Sequence, residues 1–213
     1  MNIGPYSIED YMHLVKSFHG NIAPGLIIGG FMVDLAMKNL PDGVLFDAIS
    51  ETQTCLPDAI QLLTPCTIGN GWLKVMDFGR YALCLFDKYQ GAGFRVFLDP
   101  EKLENWQEIK TWFFKLKPKK DQDPIILRDR IIDAGPDILT VQHVTVDNAF
   151  LGKKGKGAIA ACPSCGEAYP AKDGAVCLAC QGGSPYTRES QGVTHGTKPD
   201  LKVIPSTSGS TKG

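Results

Sequence analysis

Cys162-Pro-Ser-Cys165 and Cys177-Leu-Ala-Cys180 are two Cys-x-x-Cys pairs separated by eleven residues. Each pair can direct two thiolates at one cation, and together they complete the tetrahedral sulfur set that Zn²⁺ favours. Two disulfides or a redox dithiol are the alternatives, but clustered cysteines in a chain with no export signal fit metal better. Asp173-Gly174 is a tight-turn signal, so the sequence predicts a short hairpin returning the second pair to the first. So small a segment, poor in large apolar side chains, must draw its folding free energy from the metal. A site closed by four thiolates leaves no position for substrate.

Chemistry is therefore sought upstream. His19 lies where one helix hands over to the next, Cys55 where a strand enters a helix, and Cys66 at the head of a Gly-rich loop. A thiol at a helix N-terminus is expected to favour the thiolate, through the helix dipole. One imidazole and two thiolates would give Zn²⁺, or another divalent metal, three ligands with the fourth position open. Isolated cysteines are also among the most buried residues, and a helix-end histidine can simply cap carbonyls. Asp58 reads as a first-turn residue favoured by the dipole, or as a hydrogen-bond acceptor behind a metal ligand, or as a proton acceptor. Of the remaining candidates, His13 reads as solvated, His143 as a packed strand residue, His195 as part of the tail and Cys84 as a small buried hydrophobe. Lys115 to Lys120, after Trp112-Phe113-Phe114, has the basic and aromatic mixture of a nucleic-acid contact but reads as a solvated helix end.

Several elements must position these groups. Ser7 can cap a helix bearing Ile8, Tyr11, Met12, Val15 and Phe18 on one face and closed by Gly20. Pro24 opens a helix apolar nearly all round, where Gly29-Gly30 implies another backbone packed close. Residues 43–51 read as a strand and Pro57 starts a short helix. Strands follow at 73–77, 81–87 and 94–98, then a helix from Pro100 through Phe113, another at 125–134 and a last strand at 139–146. The class is α+β, a mixed sheet flanked by helices, with a core domain at 1–152, a linker and finger at 153–183 and a flexible Ser/Thr/Gly/Pro-rich tail at 184–213, where 201–204 could dock. A net charge of −1 gives no global basic field for nucleic acid. The apolar run from Leu26 to Met37 is interrupted and too short for a membrane span, so the chain reads as cytoplasmic.

His19-Gly20-x-x-x-Pro24-Gly25, Cys55-x-x-Asp58-Ala59-Ile60-Gln61-x-x-Thr64-x-Cys66-Thr67-x-Gly69 and Asp77-Phe78-Gly79-Arg80-x-Ala82 resemble the E-subunit family of formylmethanofuran dehydrogenase. The four-cysteine segment resembles the finger of its two-domain members. The resemblance implies a thioredoxin-like core with a metal pocket at His19, Cys55 and Cys66, and a homodimer whose domains exchange. It also implies partnership with molybdenum or tungsten dehydrogenase subunits, although many members occur where that enzyme is absent. Asn21, Ala23 and Asn70 stand where the family pattern has histidine, cysteine and lysine. Ala23 can neither ligate a metal nor cycle through a disulfide. The leading reading is a metal-binding accessory or redox-associated protein of anaerobic one-carbon metabolism. Its rival is a non-catalytic zinc-finger adaptor for a partner protein or nucleic acid, and a free-standing metal-dependent enzyme comes third.

Overall fold

In a computed structural model, which describes residues 1–152, 155 and 157–186, the chain divides into two compact units between residues 153 and 154. Expected features at Lys153, Lys154, Lys156, His195 and 201–204, and all of the expected tail beyond residue 186, lie outside the described residues.

The first unit begins with a two-stranded ribbon, β1 (Asn2–Ile3) and β2 (Tyr6–Ser7). Helix α1 (Ile8–His19) follows, its Ser7 hydroxyl accepting the Asp10 N–H at 3.1 Å. Gly20 ends it at φ 87°, a left-handed conformation that glycine reaches without a Cβ clash. Tyr11 and Val15 are buried, whereas Phe18, expected on that face, is exposed.

Helix α2 (Pro24–Asn39) is buried without a break from Gly25 to Val33, which is why its sequence lacks an amphipathic period. Its glycines permit close approach, but of side chains rather than the expected backbone. A Cβ at Gly29 would lie 2.8 Å from the Ala59 Cβ, and one at Gly30 would lie 2.7 Å from the Tyr11 ring. Each glycine costs roughly 1 kcal/mol of helix propensity, less than the clash a side chain would create there.

Strand β3 (Phe46–Ser50) leads through Cys55 into α3 (Leu56–Leu63), and β4 (Leu73–Val75) returns parallel to β3. Strands β5 (Ala82–Asp87) and β6 (Ala92–Leu98) add antiparallel pairs. Helices α4 (Gln107–Phe113) and α5 (Pro124–Ala134) precede β7 (Leu139–Thr145), which completes a five-stranded mixed sheet of order β4-β3-β5-β6-β7. The helix expected from Pro100 is broken. A 3₁₀ turn spans Lys102–Asn105, Trp106 leaves helical geometry at φ −129°, ψ 71°, and only then does α4 start. No single helix among the described residues is long and apolar enough to cross a membrane.

An ion-paired clamp fixes the exit of β3. Glu51 accepts Arg95 Nε at 2.7 Å and Nη2 at 2.9 Å, with Arg80 Nε at 2.8 Å. Burial alone would raise the Glu51 carboxyl, but the two guanidiniums hold it below the ordinary range. The Glu51 carbonyl also accepts the Phe78 and Arg80 N–H groups, so the segment approaching Cys55 is tied on both sides.

Candidate functional site

In the second unit, β8 (Ile159–Ala161) and β9 (Ala168–Pro170) pair antiparallel and enclose the first cysteine pair. The hairpin thus lies around Cys162 and Cys165, not between the two pairs as expected. Asp173-Gly174 instead closes a 3₁₀ turn. Gly166, at φ 79°, turns its N–H back to the Cys162 carbonyl at 2.8 Å, and the Tyr169 hydroxyl donates to Gly174 at 2.9 Å.

These turns bring one sulfur each from Cys162, Cys165, Cys177 and Cys180 within 4.8 Å of one another. The Cys165 and Cys177 sulfurs are 3.8 Å apart. Zn–S bonds near 2.3 Å in a tetrahedron require sulfurs about 3.8 Å apart, so the donor set fits zinc. The backbone N–H of Cys177 donates to Cys162 Sγ at 3.4 Å, a contact that favours the thiolate of that cysteine. Thiolate is the form that ligates.

The core behaves differently. Among the described residues the finger cysteines are the only such ligand group, so His19, Cys55 and Cys66 do not form the expected metal set. Cys55 is the N-cap of α3, and Cys66 lies two residues past its C-cap Thr64. A helix of eight residues is about 12 Å long, so it holds the two sulfurs at opposite ends. Cys66 is wholly buried, its thiol donating to the Phe46 carbonyl at 3.5 Å, and burial pushes that thiol up to about 11. A three-ligand core metal does not fit this arrangement. Asn70, where the family pattern has lysine, staples its loop by accepting the Thr67 and Trp72 N–H groups and donating to Pro65.

His19 does meet Asp58, its Nδ1–H donating to Oδ2 at 2.7 Å. Asp58 sits in the first turn of α3, its N–H donating to the Cys55 carbonyl at 3.1 Å. A carboxylate that fixes one ring nitrogen leaves the other turned outward, the arrangement that orients a histidine for proton transfer.

Cys55 itself is strained. It has φ 56° and ψ −51°, and the Leu56 N–H donates across it to the Thr54 carbonyl at 2.5 Å. This is the positive-φ form of the γ-turn, rare for any side chain and costing on the order of 1–3 kcal/mol. Gly25 accommodates the turn, since a Cβ there would lie 3.2 Å from Cys55 Sγ. The helix dipole does not win the expected thiolate. Burial and then the Asp58 charge raise the thiol above its ordinary range.

Cys55 lines a cavity of about 830 Å³ with Gly25, Thr52, Tyr81, Trp112 and Phe113. The Tyr81 hydroxyl donates to the Gly25 carbonyl, and its ring meets Phe113 edge-on at 6.2 Å. Lys115, Lys117 and Lys119 line the same cavity, so the basic run read as a solvated helix end borders this space. Lys115 takes φ 54° just beyond α4, where the Leu116 N–H reaches back to Thr111 and the Lys115 N–H to Trp112. That left-handed closing position ordinarily holds glycine, and lysine there costs roughly 1–2 kcal/mol. No sequence signal marked Tyr81 as part of the site. His143 is exposed at the sheet edge against Phe94, His13 is exposed, and Cys84 is buried.

Comparison with known proteins follows this division. A family model described as FmdE, molybdenum formylmethanofuran dehydrogenase operon, matches residues 18–146, and one described as FmdE treble clef zinc finger matches 153–187. A crystal structure of a tungsten formylmethanofuran dehydrogenase FmdE-like protein from Syntrophus aciditrophicus is 58% identical, with a TM-score of 0.79 over 87% of this chain and 98% of that one. A probable S-adenosyl-L-methionine-binding protein of Archaeoglobus fulgidus is 29% identical over 84% of this chain, which spans only 54% of that relative.

Proposed function

The chain belongs to the FmdE family, and from that premise we propose a redox-associated accessory protein of anaerobic one-carbon metabolism that acts through its Cys55 cavity. The observation that carries this reading is the His19–Asp58 pair at 2.7 Å, built on the same helix turn as the strained Cys55. Strain at a cavity wall, on a helix turn that also orients an imidazole, is characteristic of positions selected for work rather than stability. Cys55 supplies a protonated thiol to the cavity wall, and His19, held to the same helix turn through Asp58, supplies an oriented proton carrier, with no metal required at Cys66. The zinc finger holds its own module together. The partner is a molybdenum or tungsten dehydrogenase of the formylmethanofuran type, and the chain works as a homodimer.

Titrating the purified chain into such a dehydrogenase tests the proposal, with complex formation followed by mass photometry and turnover by formylmethanofuran oxidation. Wild type is expected to bind and to change the rate. Cys55→Ser and His19→Ala should still bind while losing that rate change by about tenfold or more. Absence of a complex, or variants that act like wild type, sinks the reading.

One observation favours the adaptor as a second reading. Ile159, Leu178 and Tyr186 are 58%, 59% and 82% exposed on the finger unit, apolar groups that a partner could cover. Pull-down of the dehydrogenase with and without residues 157–213 separates the two roles, because only the adaptor loses its partner with the finger.

A further inference from the structure

Lys115, Lys117 and Lys119 line the Cys55 cavity within five residues of chain, and all three are exposed. Among the described residues none of them lies in an ion pair. Uncompensated like charges on one short segment are ordinarily a solvated face. Two observations set this segment apart. Lys115 occupies a left-handed position that glycine normally fills, and the lysines border a concave space with an aromatic wall instead of open surface. That wall is formed by Trp112 and Phe113, with ring centroids 6.1 Å apart, together with Tyr81. A volume of about 830 Å³ lies within the range of small-molecule sites.

We propose that the cavity binds a small ligand that joins a planar aromatic ring to a phosphate or carboxylate. The ring packs against Trp112 and Phe113, and the anion is held by the lysines, whose ammonium groups supply donors and charge. Cys55 and Thr52 on the same wall then face the bound ring or its linker. This assignment rests on reading the Cys55 cavity as the working site, and it adds the class of molecule that enters.

Calorimetric titration of the full chain at low salt with naphthyl phosphate, naphthoate and uncharged naphthol tests the assignment, the two anions distinguishing phosphate from carboxylate. At least one anion should bind about tenfold or more tightly than naphthol. The triple variant K115E/K117E/K119E should erase that advantage, and its exposed positions leave the fold intact. Trp112→Leu, which keeps an apolar wall without the ring, should weaken the favoured anion several-fold. Naphthol binding as tightly as both anions, no binding of either anion, or wild-type affinity in the triple variant would each overturn the proposal. No partner enzyme enters this titration. Failed binding with an intact dehydrogenase complex removes the ligand class alone, and binding without a complex removes the accessory role alone.

Discussion

Cys165 and Cys177 are separated by nearly the same length of chain as Cys55 and Cys66, yet one pair of sulfurs meets at 3.8 Å and the other is parted by a helix. What differs is the chain in between. A three-residue strand and a single 3₁₀ turn occupy the finger segment, and neither prevents its ends from returning to a common point. Between Cys55 and Cys66 the chain forms α3, whose length of about 12 Å rules out a shared ion. Spacing reports metal binding where the metal is the core; inside a hydrophobic core, secondary structure decides where each thiol goes.

The contrast can be broken most directly at the finger. Cys162→Ser should remove one zinc per chain by elemental analysis and open the finger amides to hydrogen exchange, because metal supplies on the order of 10 kcal/mol of such a module's folding. The exchange of α2 and the sheet should not change, and collapse of both units together would contradict their independence. Cys66→Ala should leave zinc content untouched while costing about 1–2 kcal/mol in urea denaturation, as expected for a small buried side chain. Lost zinc in that variant would restore the core metal. A comparison of Cys55→Gly with Cys55→Ala sharpens the strain argument. Both lack the thiol, but glycine should be more stable by about 1 kcal/mol because it accepts φ 56° freely. Equal melting would remove the strain from the account.

The smallest expected effect concerns charge. Burial and the Asp58 carboxylate both oppose ionisation of Cys55, so its alkylation by iodoacetamide at neutral pH should be slower than that of a free thiol and rise only as pH climbs above the ordinary thiol range. Asp58→Asn removes the negative charge, lowers the thiol pKa and should speed alkylation at neutral pH by a few-fold. Unchanged or slower alkylation would mean that the carboxylate does not act on the sulfur.

Much of the frame was legible because single residues announce it. Ser7 and Gly20 bound α1, Pro24 opens α2, and turn residues separate the strands of the sheet. Trp106 gave no such notice; it breaks the helix by its own backbone geometry, and nothing in its side chain signals that. The four finger cysteines were read with their chemistry intact. At the core site, His19, Cys55 and Asp58 were named from the sequence, but the His19–Asp58 contact spans 39 residues and is set by the packing of α1 against α3. A positive φ on cysteine or lysine has no signature in composition, so neither Cys55 nor Lys115 could be read as strained.

Gly25 and Gly29 give this division a steric side. One turn apart on α2, they form a row of steric stops against Cys55 and Ala59, and α3 sits as deep as they allow. One added methyl on that row would push α3 outward and carry the thiol and Asp58 with it, long before the protein lost its fold. Substitution in this chain therefore meets two unequal territories. The lysine rim can be rewritten to suit a new ligand at small cost, whereas the depth of the strained turn is set by two positions that have no side chain to vary.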